Sequence, residues 1–183
     1  GDAIGLLIKY YKTGDLKTWD DYNIAWTEAT EGNIDYINGF IEVYNDPLGY
    51  RGSYESVVQI KDFDMSKKME VISSNAQWFE DNSSLMPEHK KKNVVGVSYK
   101  VVVVAGESGD SSPSTPIGVN LPNADWIRAE HGSKSVSLGN IVDAYNHAGG
   151  SDRLKEFAND KEEIELEEKY GEVADKLHTA LHE

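Results

Sequence analysis

The chain of 183 residues is long enough for one good-sized domain or two small ones, and its 39% hydrophobic and 27% charged residues are ordinary for a folded globular protein. Its 32 acidic and 18 basic residues give a formal net charge of −14, which argues against a broad nucleic-acid-binding surface and against docking on anionic lipid. The absence of cysteine excludes disulfides, cysteine-ligated metal clusters and thiol catalysis, and no apolar run is long enough to suggest a membrane span.

The first elements predicted from the sequence are helical. Apolar residues recur at helical spacing over 4–11, and Gly14 offers a stop for that helix. An aromatic stretch follows, in which Trp19, Tyr22 and Trp26 are spaced i, i+3, i+7. This spacing favours packing in the core over an aromatic shelf that binds a ligand.

Two strands are predicted next, at 36–44 and 54–60, because both segments are rich in aromatic and β-branched residues. The segment 45–49 between them, Asn-Asp-Pro-Leu-Gly, is a strong turn signal, since proline presets φ and glycine permits positive φ. A helix is predicted over 64–85, with Asp64 as its N-cap and one apolar stripe facing the core.

The second half of the chain begins with its most strand-like segment, 94–105, whose nearly continuous apolar run predicts burial on both faces. A short strand is predicted at 116–121, and helices are predicted at 124–130, at 138–148 and from Lys161 to the end. Because strands and helices do not alternate regularly, the predicted class is α+β, with a small, mostly antiparallel sheet or β-barrel and surrounding helices.

The terminal helix carries an apolar stripe through Val173, Leu177 and Leu181, and no residue after it can act as a cap. We therefore expect the chain to be a piece of a longer protein. Its last residues, His182 and Glu183, would begin a His-Glu-x-x-His motif, in which two imidazoles on one helix face bind zinc and the glutamate polarises the bound water. The pair by itself is weak evidence, because it occurs by chance in many proteins.

A second interpretation of the same helix uses His178 with His182, which lie at i, i+4 and could supply two ligands to a metal ion. The glutamate follows the second histidine instead of the first, and the sequence shows no third ligand nearby. A partly exposed His178 beside the apolar stripe is therefore favoured over a two-histidine metal site.

Four separated blocks of the sequence carry a family resemblance. They are FIEVYNDPLG at 40–49, continuing as RGSYE at 51–55, then PIGVNLPN at 116–123, SVSLGN at 135–140 and LHTALHE at 177–183. In their order and approximate spacing these blocks resemble the dipeptidyl peptidase III family of zinc metallopeptidases. In that family the last block continues with two residues and then Gly-His.

The resemblance implies a two-lobed enzyme that uses zinc to remove dipeptides from the free N-terminus of short peptides bound in a wide cleft. One lobe carries a small β-barrel and would receive residues 1–63 and 94–149. The other lobe is mainly helical, holds the zinc, and would receive residues 64–93 and 150–183. The resemblance implies that His182 is the first zinc ligand, with the remaining ligands outside this chain.

The resemblance also implies roles for five further residues. Glu183 matches the general base that activates the zinc-bound water. Glu42 and Tyr44, which would share one strand face, match residues that hold the free amino terminus of the substrate. Asn120 and Asn123 match amides that bind the same end of the peptide, and the strand that contains the first of them would bind the peptide as an added strand.

We therefore interpret the chain as a fragment of a zinc-dependent dipeptidyl aminopeptidase. The fragment is expected to be inactive by itself, because the zinc site is incomplete. The expected partners are short peptides with a free N-terminus, not nucleic acid or membrane, and the whole enzyme is expected to be a cytoplasmic monomer. The alternative is a non-catalytic peptide-binding or protein-interaction module that is complete as it stands.

Overall fold

The computed structural model describes most of the chain. The described residues are 1–42, 48–49, 52–94, 97–112, 114–148 and 151–182, with only the backbone described for 97–99, 151–153 and 180–182. Within these residues, no helix is both long and apolar enough to cross a membrane.

Helices and strands follow one another without regular alternation. In chain order the structure has α1 (Asp2–Thr13), α2 (Leu16–Glu28), β1 (Ile34–Glu42), β2 (Ser53–Lys61), α3 (Phe63–Ser74), α4 (Ala76–Asn82), a 3₁₀ turn (Pro87–His89), β3 (Val97–Gly109), β4 (Gly118–Leu121), α5 (Asp125–His131), β5 (Ser133–Leu138), α6 (Gly139–Ala148), α7 (Ser151–Phe157) and α8 (Lys161–His182). This order confirms the predicted α+β class.

The first two helices form for the reasons that the sequence suggests. Helix α1 ends at Gly14, whose φ of 68° lies in the left-handed region that favours glycine. Asp15 then caps α2, because its carboxylate accepts a hydrogen bond from the backbone N–H of Thr18 at 3.1 Å. Tyr22 and Trp26 of α2 are buried in the main core cluster, which confirms their predicted packing role.

The five described strands form one open sheet in the order β1-β2-β3-β5-β4, in which only the β3–β5 pairing is parallel. The sheet is mostly antiparallel, as predicted, and it curls instead of lying flat. Lys134 of β5 reaches Asp35 of β1 at 2.9 Å. Beyond β4, the Asn123 side-chain amide donates to the Ile41 carbonyl at 3.2 Å. These contacts join the edge strand β1 to the far side of the sheet.

The helix predicted over 64–85 is two helices, and its predicted N-cap is wrong. Asp62 is the N-cap of α3, because its carboxylate accepts from the Met65 N–H at 2.9 Å. Asn75 separates α3 from α4, and its side-chain amide donates to the Val71 carbonyl at 2.6 Å, which offers the backbone an alternative to continuing the helix. The predicted apolar stripe is therefore divided, and Phe79 of α4 is 42% exposed.

Strand β5 was not predicted, because polar residues occupy four of its six positions. Lys134 and Ser135 of this strand are nonetheless buried. The lysine can be buried because it pairs with Asp35 and lies 4.2 Å from the ring centre of Trp26. The prediction that β3 is buried on both faces is correct for Val101 and Val102. It is wrong for Val103, which is 43% exposed.

Candidate functional site

A cavity of about 410 Å³ lies between the two edge strands of the described sheet, β1 and β4. Its polar lining is dominated by three carboxylates and two side-chain amides. These are Glu42, Glu55, Asp110, Asn120 and Asn123. The described residues that line the cavity include no lysine, arginine or histidine. The cavity therefore brings together three of the predicted substrate-binding residues in negatively charged surroundings.

The position of Glu42 in the cavity depends on a β-bulge. The register of β1 against β2 shifts between Phe40 and Glu42, so that Ile41 is an extra residue. Glu42 therefore lies opposite Ser53. Because opposed residues project to the same face of a sheet, Glu42 shares its face with Ser53 and with Glu55, two residues further along β2.

Gly52 fits closely against this bulge. Its φ is +114°, and a Cβ atom at this position would lie 2.9 Å from the carbonyl oxygen of Glu42. The next residue, Ser53, donates its hydroxyl to the same carbonyl at 3.0 Å. The backbone at Glu42 is thus held by a glycine that allows close approach and by a hydroxyl that satisfies its oxygen.

The two predicted asparagines belong to β4 and to the loop after it. Asn120 lies in β4 opposite Ser135 of β5, and all four residues of β4 line the cavity. Asn123 donates its amide N–H to the carbonyl of Ile41, which precedes Glu42. This hydrogen bond ties the β4 side of the cavity to the β1 side.

Glu55 also lines the cavity. It belongs to the RGSYE block of the sequence, and the family resemblance assigns it no role. One face of β2 carries Ser53, Glu55 and Val57, since every second residue of a strand projects to the same side. Val57 is buried in the core. Glu55 is 5% exposed. Burial, followed by the charges of Glu42 and Asp110, raises its pKa to about 7. The sequence signal that could have identified Glu55 is its spacing of two residues from Val57, which places both side chains on the same face of the strand.

Asp110 is positioned by a turn at the end of β3. Gly109 has a φ of +71°, and a Cβ atom there would clash with the carbonyl oxygen of Tyr54. The Asp110 backbone N–H donates to that carbonyl at 2.9 Å. Ser111 follows and donates its hydroxyl to the Ser56 carbonyl at 3.1 Å. These bonds hold the turn against the strand that carries Glu55.

Helix α8 is joined to α6 by an ion pair. Lys176 lies 3.0 Å from Asp143 of α6 and 2.8 Å from Glu172 of its own helix. A second cavity, of about 240 Å³, lies between α3, α6 and α8 and includes Met65 and Thr179 in its lining. The predicted site residues whose side chains are described, Glu42, Asn120 and Asn123, do not line this second cavity.

The side chains of the remaining predicted site residues lie outside the part of the chain that the structure describes. Tyr44 and Glu183 lie outside the described residues, and His182 is described only as the backbone at the end of α8. Zinc in proteins takes about four ligands. In the part of the chain that the structure describes, no group of three or more His, Asp or Glu residues could hold a metal ion. The described residues therefore do not by themselves fit a zinc ion.

Known proteins are similar to this chain in sequence and in fold. The chain is 31% identical over 183 residues to dipeptidyl peptidase 3 of Nematostella vectensis, a match that covers 94% of this chain and 23% of the relative. It is 26% identical over 164 residues to dipeptidyl peptidase 3 of Homo sapiens, covering 90% of this chain and 22% of the relative. The structure of DPP III from Caldithrix abyssi matches with a TM-score of 0.75 at 24% identity, over 90% of this chain and 31% of that one.

The chain thus spans less than a quarter of the length of these two curated relatives. The family model described as peptidase family M49 matches residues 3–183, which is nearly the whole chain. Together these matches confirm the family resemblance that the four sequence blocks indicate. The chain belongs to peptidase family M49.

Proposed function

We propose that this chain supplies the part of a dipeptidyl peptidase that binds the free amino terminus of a peptide. The observation that carries the proposal is that Glu42, Asn120 and Asn123 line one cavity between the edge strands of the sheet. The names of the relatives, dipeptidyl peptidase 3, support the same reaction class.

The charges of the cavity suit an ammonium group. A carboxylate that accepts hydrogen bonds from an ammonium forms a charge-assisted pair, which is stronger than a hydrogen bond between neutral groups. The cavity has three carboxylates, and its described lining includes no lysine, arginine or histidine. The net charge of −14 also attracts cationic ligands over the whole surface.

The edge strand β4 suits the backbone of a peptide. Among the described strands β4 pairs only with β5, and its residues line the cavity. An extended peptide can add to such an edge through main-chain hydrogen bonds, which do not depend on the identity of its side chains. Anchoring the amine at Glu42 would then fix which peptide bond reaches the catalytic group, so that dipeptides are released.

The catalytic group belongs to the complete enzyme in this proposal. His182 would be a zinc ligand and Glu183 the general base, with Tyr44 beside Glu42 at the amino terminus of the substrate. The zinc would activate a water molecule for hydrolysis. The β-rich lobe would comprise residues 1–63 and 94–149, and the helical lobe residues 64–93 and 150–183.

Calorimetric titration with tetraalanine and with its N-acetylated form tests the binding role. We expect the free amine to bind the 183-residue chain at least about tenfold more tightly, because acetylation removes the charge that pairs with Glu42. Glu42→Gln should reduce the affinity for tetraalanine by a similar factor. Glu70→Gln, which neutralises an exposed glutamate of α3, is the matched control. Equal affinity for the two peptides would contradict the proposal.

In this proposal the zinc site is only partly supplied by this chain. We therefore expect that the 183-residue chain does not hydrolyse peptides by itself. A dipeptidyl naphthylamide incubated with the chain and added zinc should release no naphthylamine above the background rate. Release of naphthylamine that a chelator abolishes would show that the chain holds a working site by itself. That result would contradict the proposal that the other zinc ligands belong to the rest of the enzyme.

A further inference from the structure

The amine-binding role proposed above uses Glu42, Asn120 and Asn123 and leaves Glu55 unexplained. This carboxylate lines the cavity and is only 5% exposed. Buried carboxylates are normally paired with a cation or held by hydrogen bonds. The described residues give the Glu55 carboxylate neither an ion pair nor a hydrogen bond.

The surroundings of Glu55 are negatively charged. Glu42 faces it from β1 and Asp110 faces it from the end of β3, while β4 contributes the neutral amide of Asn120. Each of these two neighbouring carboxylates repels the ionised form of Glu55 and so disfavours that form in the fold. A cation that enters the cavity would favour the ionised form of Glu55.

The cation that fits is an organic ammonium group. In the described part of the chain, no set of acidic and histidine side chains is arranged to hold a metal ion. A primary ammonium has three N–H donors and therefore needs three acceptors. Glu42 and Glu55 lie on one face of the sheet and can supply two acceptors. Asn123 donates its own N–H to Ile41, which leaves its side-chain oxygen as a third acceptor.

We propose that Glu55 is a second ammonium-binding residue of this cavity, and that its carboxyl group loses a proton to the solvent when the amino terminus of a peptide enters. The inference rests on the proposed function, because it concerns the same site and the same ligand group. In this step the carboxyl O–H bond breaks, its electron pair stays on the carboxylate, and the proton passes to the buffer. The ammonium group keeps its three hydrogens.

The electrostatics of the cavity make this exchange favourable. Burial and the two neighbouring carboxylates raise the pKa of Glu55 to about 7, so the carboxyl group is mostly protonated in mildly acidic solution. An ammonium group beside it has the opposite effect and favours the ionised form. Peptide binding and proton loss are therefore linked, and affinity should rise with pH until Glu55 is ionised in the empty cavity.

Calorimetric titration of the 183-residue chain with tetraalanine in two buffers of different ionisation enthalpy measures the proton directly. At about pH 6 the amine of the peptide, with a pKa of about 8, stays protonated and does not contribute. We expect the release of close to one proton per bound peptide, and an affinity that rises by up to about tenfold per pH unit toward neutrality. Glu55→Gln should abolish both effects, whereas the control Glu70→Gln should retain them.

The outcomes separate this inference from the proposed function. If no proton is released and Glu55→Gln keeps the affinity and pH dependence of the unmodified chain, while Glu42→Gln still weakens binding, this inference is wrong and the proposed function stands. If tetraalanine and its acetylated form bind equally, both are wrong.

A second measurement does not depend on the folding of the Glu55→Gln variant. The side-chain carboxyl carbon of Glu55 can be followed by carbon-13 NMR through a pH titration of the unmodified chain. We expect saturating tetraalanine to move its titration midpoint to lower pH by about two pH units or more, in line with a nearby opposite charge. An unchanged midpoint would overturn the inference.

Discussion

Glu55 occupies a site in which its charge depends on its neighbours. Burial removes water from the carboxylate, and Glu42 and Asp110 add repulsion, so its pKa is raised to about 7 from an ordinary value of 4.5. The raised pKa means that the folded chain favours the protonated form more than the unfolded chain does. The free energy of unfolding must therefore depend on pH through this residue.

We expect the contribution of Glu55 to stability to be complete below about pH 4.5 and to be lost as the pH rises through about 7, because ionisation is then easier in the unfolded chain. Glu55→Gln should lose less stability than the unmodified chain over this interval, since its neutral amide does not ionise. Urea unfolding at a series of pH values measures the difference, with Glu70→Gln as the control. Parallel pH profiles for Glu55→Gln and the unmodified chain would contradict the assignment.

At the scale of elements, the pairing of β1 with β2 determines which side chains enter the cavity. The bulge at Ile41 brings Glu42 to the face of Glu55, and Gly52 allows β2 to approach that bulge closely. The carbonyl of Ile41 also accepts the hydrogen bond from Asn123. The strand irregularity thus positions residues on both sides of the cavity.

We expect Gly52→Ala to lower the free energy of unfolding by about 1–3 kcal/mol, because a side chain is strained at positive φ. The affinity for tetraalanine should also fall, since the new Cβ would press on the backbone at Glu42. Gly5→Ala is the control, because this helical glycine has nothing within 4 Å of its added Cβ and should gain about 0.5–1 kcal/mol. A stable Gly52→Ala variant with unchanged affinity would contradict this account.

The sequence predicts these strands because aromatic and β-branched residues concentrate in them, but it does not predict the bulge. A bulge depends on the register between two strands, which local composition does not report. Strand β5 was missed for a related reason, since Lys134 and Ser135 are buried by partners distant in sequence. The start of α3 was misplaced because Asp62 and Asp64 are both suitable caps and only the fold selects the first.

At the scale of the whole molecule, two sets of contacts hold the open sheet in its curled shape. At one end Lys134 and Asp35 form an ion pair, and at the other Asn123 bonds to Ile41. Asp35 also accepts a hydrogen bond from the indole N–H of Trp26 at 3.1 Å, which links α2 to the same ion pair. The cavity lies between β1 and β4 because these contacts bring the two sides of the sheet together.

We expect Asp35→Asn to lower the free energy of unfolding by about 3 kcal/mol, because it leaves Lys134 buried without its counter-charge. Changing the lysine as well, as Asp35→Asn with Lys134→Met, should recover part of the loss by removing the unpaired charge. Urea unfolding of the variants measures both effects. Asp21→Asn, which breaks an exposed pair with Lys17, should cost less than about 1 kcal/mol. Equal costs for the two single variants would contradict a structural role for the buried pair.

At this scale, the family resemblance grouped residues that lie around one cavity, which local patterns could not do. Glu42, Asn120 and Asn123 are distant in sequence, and only the curl of the sheet places them around one cavity. The resemblance transfers such long-range information, whereas composition and periodicity do not. It did not assign Glu55, whose chemistry comes from its depth and its charged neighbours.

The extra residue in β1 has a consequence for protein engineering. If the segment were transplanted into another hairpin with regular pairing, the alternation of side chains would place Ile41 on the cavity face and Glu42 on the opposite face. A graft of this cavity must therefore carry Phe40, Ile41 and Glu42 together with the glycine at position 52. A template that copies only Glu42 and Glu55 would keep the residue types but would not place the two side chains on the same face of the sheet.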